Sequence, residues 1–146
     1  MHMICQATFS EAKEVAALAV RMWNSHTVEE LTEEFEALIS RTDAAVFLLK
    51  IGERLAGFAQ CQLRHDYVEG TETSPVGYLE GVFVAPAYRK QGHGRALVAA
   101  CEDWARKQGC REFASDCELS NTQSLAFHLA SGFREAGRII CFTKPL

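Results

Sequence analysis

The chain has 146 residues, an apolar fraction of 48% and a formal net charge of −4 at pH 7. This length and composition predict one globular domain, residues 1–146, that buries a core of its own. They exclude a membrane span, since no run of about 18 apolar residues occurs, and they argue against nucleic acid as a partner, since Lys and Arg do not cluster.

The amino-terminal part of the chain predicts one strand and two helices. Residues 3–7 are predicted to form a short strand, after which Ser10 is placed to cap a helix with Met22 on its apolar face. Thr27 and Glu30 have the spacing of a capping box, and apolar residues recur at helical intervals after them. A second helix is therefore expected to begin at Thr27.

The middle of the chain predicts antiparallel strands. Residues 44–50 and 55–63 flank a glycine-containing turn at residues 51–54, a pattern typical of a hairpin. Residues 65–75 are the only long irregular stretch, and a further apolar strand follows over residues 78–84.

Glu80 is unexpected within that strand. A carboxylate in an apolar strand is costly unless it is paired, solvated by a cleft or used in chemistry. Strict alternation places Glu80 on the same face of the sheet as Val82, and Gly81 and Phe83 on the opposite face.

A glycine-containing loop, Arg89-Lys90-Gln91-Gly92-His93-Gly94, joins this strand to a helix predicted over residues 95–107. The first N–H groups of a helix lack intrahelical partners and its dipole favours negative charge, so backbone there can bind a diphosphate. Gly92 and Gly94 have no side chain to block an anion, and glycine can adopt the positive φ that directs successive amides at one point. A tight turn without a ligand is the alternative interpretation.

The carboxyl-terminal part predicts a short strand over residues 113–116, a helix over residues 121–131 and a last strand over residues 138–143. The resulting element order is β-α-α-β-β-β-α-β-α-β.

Two motifs resemble the GNAT superfamily, the acetyl-coenzyme A dependent N-acetyltransferases. The glycine loop matches its Arg/Gln-x-x-Gly-x-Gly/Ala signature, and Asn121-Thr-Gln-Ser-Leu-Ala-Phe-His-Leu-Ala-Ser-Gly-Phe133 is similar to its Asn-x-x-Ala-x-x-x-Tyr-x-x-x-Gly-Phe signature. The element order is also that of GNAT domains. The resemblance implies an α/β (α+β) fold, a single GNAT domain with a twisted, mixed but mostly antiparallel sheet of about six to seven strands, splayed between its two central strands and flanked by about four helices.

The same resemblance implies acetyl-CoA as co-substrate, with no metal. The pantetheine arm would enter the splay and the pyrophosphate would lie on the glycine loop, which gives these cofactor-binding residues: Val82, Phe83, Val84, Arg89, Lys90, Gln91, Gly92, His93, Gly94 and Asn121. His128 stands where many members have a tyrosine that protonates the leaving thiolate. It either donates a proton to the sulfur or fills space and forms local hydrogen bonds.

Residues 66–76, running into the strand at residues 78–84, are similar to aminoglycoside 6'-N-acetyltransferases. In that branch of the superfamily the loop helps to form the antibiotic cleft, which implies that Trp23, Tyr67, Glu80 and Asp116 line it and makes Glu135 a weaker candidate. Aminoglycosides carry several positive charges, which carboxylates and aromatic faces suit. The implied activity is acetylation of the 6'-amine, conferring antibiotic resistance.

Each of these roles has an alternative. Glu80 is the first choice for the base that deprotonates the amine, and Asp116 is assigned to substrate binding with a possible share in deprotonation. Asp116 instead caps the turn after its strand in the simpler interpretation, and Trp23 is instead a core anchor. If the resemblance holds only for the superfamily and not for its aminoglycoside branch, the acceptor is another amine, such as a polyamine, an amino sugar or a protein amino terminus. A non-catalytic acyl-CoA sensor is the third possibility.

Compartment and assembly complete the predictions. The six cysteines show no C-x-x-C spacing, and no leader with a cleavage site is evident, so the chain is expected to be reduced and cytoplasmic. The last predicted strand, with Ile139, Ile140 and Phe142, offers an edge that a second subunit completes, which predicts a homodimer.

Overall fold

The computed structural model describes residues 1–146 and contains one five-stranded sheet and four helices. The strands are β1 (His2–Gln6), β2 (Ala44–Ile51), β3 (Arg54–Arg64), β4 (Val76–Val84) and β5 (Phe113–Ser115). The helices are α1 (Ala12–Ala19), α2 (Val28–Ile39), α3 (His93–Lys107) and α4 (Thr122–Ala130). No helix combines the length and the apolar character that crossing a bilayer requires.

The sheet is mixed, as predicted, and its strands follow chain order. The first four strands pair antiparallel, whereas β4 and β5 pair parallel because α3 connects them across one face. One core lies between the sheet and helices α1 and α2, and includes Phe35 and Phe58. A second core lies on the other face under α3, and includes Leu97 and Trp104. Burying a side chain of this size stabilises the fold by about 1.5–3 kcal/mol.

The predicted start of α2 is confirmed by its cap. Thr27 accepts a hydrogen bond from the Glu30 amide at 3.1 Å, and Glu30 accepts one from the Thr27 amide at 3.2 Å. The predicted cap at Ser10 is wrong. Thr8 precedes a 3-10 turn that leads into α1, and its amide donates to Glu11 at 2.9 Å. Glu11 is also bound to Lys50 of β2 at 2.6 Å, which fixes this turn against the sheet.

A β-bulge at Glu80 breaks the alternation of β4. Gln60 pairs with Gly81 and Cys61 pairs with Leu79, so Glu80 is an extra residue with no partner on β3. Leu79 and Val82 pack in the α3 core, and the two residues between them point to the other face. The prediction that Glu80 and Val82 share a face is therefore wrong.

The predicted splay begins where β5 ends. Only Gly77–Leu79 of β4 pairs with Phe113–Ser115 of β5, and residues 80–84 have no strand on that side. A row of β4 backbone groups is left available to an extended ligand.

The predicted last strand does not form. Residues 134–146 have no regular structure, and Ile139, Ile140 and Phe142 are 75%, 81% and 87% exposed. A strand needs a neighbour for its backbone hydrogen bonds, and this segment pairs with no strand of the sheet. The sheet consequently has five strands instead of the expected six to seven.

Candidate active site

The carboxylate of Glu80 is paired with the guanidinium of Arg64. The bulge turns Glu80 toward the end of β3, where Arg64 Nη2 lies 2.9 Å from Oε1 and 2.8 Å from Oε2. The same guanidinium stacks on the ring of Tyr78, with its carbon 3.4 Å from the ring centroid. A carboxylate in an apolar strand is costly unless it is paired, and Arg64 provides that pairing for Glu80.

Tyr78 links this pair to Asp116. The phenol of Tyr78 donates a hydrogen bond to Oδ2 of Asp116, which lies directly after β5. Burial, and then this carboxylate, raise the pKa of Tyr78 well above its usual value, so the phenol keeps its proton at neutral pH. The partner of Asp116 is this phenol, and no backbone amide of the following turn donates to it. Glu80 and Asp116 therefore flank Tyr78 at the point where β4 and β5 diverge.

Trp23 lies over the bulge. A Cβ added to Gly81 would come within 2.7 Å of the indole, so only glycine allows this contact. The indole also packs against Phe35 and Phe58, with centroids 6.4 and 5.9 Å away. It lines a cavity of about 150 Å³ together with Glu34, Phe35, Leu38 and Gln60. Trp23 is thus a core anchor that also has a face on a cavity.

The loop before β4 is held by Glu112. Its Oε1 accepts from the amides of Glu72 and Thr73, at 2.9 and 2.8 Å, and from the Thr73 hydroxyl. These donors, the hydroxyl foremost, lower the pKa of Glu112. Tyr67, in the same loop, is 76% exposed. An aromatic ring on a fixed, exposed loop is available to a ligand.

The glycine loop has the geometry of an anion site at Gly92. This residue caps α3 with φ +83°, and a Cβ there would meet nothing within 4 Å, so the approach to the helix N-terminus is open. Gly94 has a further reason for being glycine. A Cβ there would lie 2.8 Å from the ring of Phe127 on α4, so the close packing of α3 against α4 also needs glycine at this position.

The other predicted cofactor residues of the loop differ in exposure and in their contacts with the rest of the protein. Lys90 and Gln91 are exposed, whereas the Arg89 guanidinium donates to the Val84 carbonyl at 2.6 Å and ties the loop to β4. His93 is 8% exposed and lies against the ring of His2, with centroids 5.1 Å apart.

Asn121 and His128 both lie on α4. The Asn121 side-chain oxygen accepts from the Ser124 amide at 3.1 Å and caps the helix. His128 Nδ1 lies 2.7 Å from the Ser124 carbonyl, so Nδ1 carries a proton and donates. Its Nε2 lies 2.8 Å from the Ser115 hydroxyl at the end of β5. The imidazole is fixed at both nitrogens and faces the splay through Ser115.

Glu135 lies in the exposed terminal segment, where it accepts from Arg138 at 2.9 Å. No group of three or more His, Cys, Asp or Glu side chains is arranged to hold a metal ion.

Sequence reasoning missed Arg64, Ser115 and the Tyr78 phenol. One signal for Arg64 was available. It ends the strand that pairs with β4, and a carboxylate in an apolar strand calls for a cation nearby.

Comparison with known proteins places these features in context. The model of the acetyltransferase (GNAT) family matches residues 11–133. An aminoglycoside N(6')-acetyltransferase type 1 from Stenotrophomonas maltophilia is 43% identical over 144 residues, which are 98% of this chain and 93% of the relative. One from Klebsiella aerogenes is 42% identical over 135 residues, which are 89% of this chain and 88% of the relative.

Solved structures agree with the sequence comparison. The aminoglycoside N-acetyltransferase AAC(6')-Iy in complex with CoA superimposes with a TM-score of 0.96 at 34% identity, over 100% of this chain and 96% of that one. AAC(6')-Iy has also been solved with a bisubstrate analogue, CoA-S-monomethyl-acetylneamine, and that structure has a TM-score of 0.95 at 34% identity, over 100% of this chain and 99% of that one.

Proposed function

Because the chain belongs to the GNAT family of acetyltransferases, we propose that it transfers the acetyl group of acetyl-coenzyme A to the 6'-amino group of aminoglycosides. One observation carries this proposal beyond the family. Two carboxylates, Glu80 and Asp116, flank an aromatic ring beside the unpaired edge of β4. Such a site collects a polycationic sugar next to an extended thioester. Resistance to these antibiotics is the expected consequence in the cell.

The chain offers a fitting place for acetyl-CoA, which supplies a thioester as acetyl donor. Residues 80–84 of β4 have no strand partner on the splayed side, and the space above Gly92 at the start of α3 is open. We propose that Val82, Phe83 and Val84 bind the pantetheine amides through their backbone. Residues 89–94 take the pyrophosphate, and the Asn121 amide makes a further contact.

The acidic pair handles the proton of the substrate. An ammonium group has no lone pair, so it must lose a proton before the nitrogen attacks the thioester carbonyl. We propose Glu80 as the base, directly or through a water molecule, and Asp116 as the group that holds the ammonium, with Trp23, Tyr67 and Glu135 as further substrate contacts. The bond from nitrogen to carbonyl carbon forms as the carbon–sulfur bond breaks, and a backbone N–H near Val82 stabilises the negative oxygen. Positioning supplies much of the rate.

His128 is proposed to donate a proton from Nε2 to the departing sulfur, which requires the imidazolium form because Nδ1 keeps its proton on the Ser124 carbonyl. Its position beside Ser115, at the end of β5, supports this role, whereas its two hydrogen bonds support a local one equally well. Replacing His128 with Asn separates the two. If His128 is a general acid, the variant loses turnover at an unchanged temperature of unfolding, whereas a packing role lowers only the temperature of unfolding.

A matched pair of antibiotics tests the proposed reaction. Neomycin and paromomycin differ in carrying an amine or a hydroxyl at the 6' position. We expect coenzyme A thiol release with neomycin and little with paromomycin, and weak release with spermidine or a peptide. Equal rates with both antibiotics would contradict the 6' assignment, and preference for spermidine or a peptide would make another amine the substrate. A protein that binds acetyl-CoA but releases no thiol with any of these acceptors would be better explained as a sensor.

We also propose that the protein works as a homodimer whose subunits are completed by their terminal segments. Residues 134–146 expose Ile139, Ile140 and Phe142, and β5 has a free edge. A surface cavity of about 460 Å³ borders that edge, lined in part by Ala105, Cys110 and Phe113. An apolar strand-forming segment without a partner and a sheet edge without a strand are complementary in two copies of one chain.

The remaining proposals concern domain and compartment. One sheet separates two cores, and helices from both halves of the chain cover it, so residues 1–146 are proposed to act as one domain. All six cysteines are free, which suits a reducing compartment, and coenzyme A thioesters occur in the cytoplasm. We therefore propose a cytoplasmic location.

A further inference from the structure

Arg64 already occupies a cation position at the acidic site. Its Nη2 contacts both carboxylate oxygens of Glu80, at 2.9 and 2.8 Å, and its guanidinium lies 3.4 Å above the ring of Tyr78. A carboxylate and an aromatic face are also what an amino sugar requires of its site. The protein's own side chain and the substrate ammonium therefore need the same two groups.

The hold on Arg64 is weak enough to be broken. Only one of its three guanidinium nitrogens binds Glu80, and the side chains of Arg64 and Glu80 are 38% and 20% exposed. An ion pair with this exposure contributes little, and the stack on the buried ring of Tyr78 supplies most of the hold on the guanidinium. A ligand with several positive charges gains more from the site than one guanidinium does.

Removal of Arg64 is also required by the chemistry assigned to Glu80. Because Arg64 Nη2 lies on both carboxylate oxygens, it competes with a substrate amine for direct contact with Glu80. Glu80 accepts a proton directly from the substrate only when the substrate ammonium replaces Arg64.

We propose that Arg64 is a specificity-determining residue that holds the cation position of the free enzyme and is displaced by the incoming substrate ammonium. It balances the charge of Glu80 and keeps the site ordered while no substrate is bound. A ligand gains entry only if its charge exceeds what Arg64 provides, which selects polyamines over singly charged amines. The identity of the displacing cation rests on the proposed function, whereas the competition for Glu80 does not.

Binding measurements on Arg64→Gln test the competition. By calorimetry on the full chain, we expect kanamycin to bind about three- to tenfold more tightly to this variant than to the wild type. KM for kanamycin should fall while kcat and the affinity for acetyl-CoA are retained. Arg64→Lys, which keeps the charge but loses the planar stack, should give a smaller gain and guards against misfolding of the first variant.

Two controls separate competition from a general change in charge. Arg106→Gln removes the same charge from α3 on the opposite face of the sheet, where Arg106 pairs with Asp103 at 2.7 Å, and should leave kanamycin affinity unchanged. In a Glu80→Gln background, where no carboxylate is left to compete for, Arg64→Gln should change kanamycin affinity less than twofold. An equal gain in both backgrounds would overturn the proposal.

The remaining outcomes are equally decisive. Weaker kanamycin binding by Arg64→Gln, or a loss of kcat, would mean that Arg64 orients Glu80 productively and would overturn the proposal. A wild-type protein that binds kanamycin without acetylating it would refute the proposed function. The competition between kanamycin and Arg64 for Glu80 could still be measured by binding. Binding of neither kanamycin nor spermidine would contradict both.

Discussion

Glu80 shows how a single residue acquires a role from the backbone around it. The bulge directs it away from the α3 core, and Arg64 on the neighbouring strand balances its charge. Tyr78 then connects it to Asp116 across the boundary between β4 and β5. A carboxylate that is partly solvated, paired with a removable cation and close to an open strand edge is suited to accept a proton.

Glu80→Gln tests the proton acceptor. The amide keeps the shape but cannot take up a proton, so we expect kcat for kanamycin to fall roughly 10²–10⁴-fold. The affinity for acetyl-CoA should stay within about twofold, because the cofactor contacts proposed above are made elsewhere. Glu53→Gln, in the exposed β2–β3 turn, is the matched control and should behave as wild type. Unchanged kcat in Glu80→Gln would remove Glu80 as the base.

Tyr78 predicts an alkaline effect on stability. Its pKa is raised in the folded state, chiefly by burial and then by Asp116, so folding favours the protonated phenol. The stabilisation is complete below the unfolded value of 10.0 and is lost as pH rises through the higher folded value. Denaturant unfolding of wild type and Tyr78→Phe at pH 8 to 11 should show a steeper loss of stability in the wild type. Parallel curves would contradict the assignment.

At the scale of elements, the loop between β3 and β4 depends on a residue from a different part of the chain. Glu112, next to β5, binds the backbone of Glu72 and Thr73 and thereby fixes the loop that carries Tyr67. Ser74 adds a hydrogen bond to the His65 carbonyl at 3.0 Å, which closes the loop at its base. The loop is therefore anchored to a residue beside the sheet and does not depend on its own contacts alone.

Glu112→Gln should loosen the loop between β3 and β4. The amide retains one acceptor, but the charge-assisted bonds to three donors are lost, so we expect KM for kanamycin to rise about two- to fivefold. KM for acetyl-CoA should not change. Glu72→Gln, in the same loop and also exposed, serves as the matched control. An equal rise in both variants would mean that charge, and not the anchor, controls binding.

The stabilisation of the loop by Glu112 is lost at acid pH. The donors around Glu112 lower its pKa below the ordinary value of 4.5, so it stabilises the fold above that pH and ceases to do so as pH falls below it. Hydrogen exchange of the loop amides should accelerate, relative to the rest of the protein, below pH 4.5 in the wild type. The same acid step should be absent from Glu112→Gln.

Local signals in the sequence predicted most elements, and long-range contacts explain the failures. The capping box at Thr27 needs only four neighbouring residues, and it was predicted correctly. The bulge at Glu80 depends on how β3 and β4 align, which the sequence of β4 alone does not encode. The contact between Gly94 and Phe127 of α4 was not predicted, because the two residues are distant in the chain.

At the scale of the whole molecule, the isolated chain leaves two surfaces unsatisfied. The last segment carries the alternating apolar residues of a strand, which is why a strand was predicted there, yet it pairs with no strand of the sheet. The edge of β5 has no outer partner. Sequence pattern reveals the tendency to form a strand, and the proposed dimer would supply its partner.

Removal of the terminal segment should therefore dissociate the protein. We expect light scattering to give the mass of a dimer for the full chain at micromolar concentration and of a monomer for a chain ending at residue 137. Full-length protein with Ile139→Ser and Phe142→Ser should shift toward monomer in the same way, because apolar burial drives the association. A monomeric wild type, or a truncated chain that still dimerises, would contradict the proposed exchange.

The central claim is that the acidic site beside the open edge of β4 presents one particular amine to the thioester. The most direct measurement is the position of the acetyl group in the product, determined by NMR after incubation of kanamycin with acetyl-CoA and the protein. We predict a single product acetylated at the 6' nitrogen. Acetylation at another nitrogen, a mixture of positions or the absence of product would contradict the account.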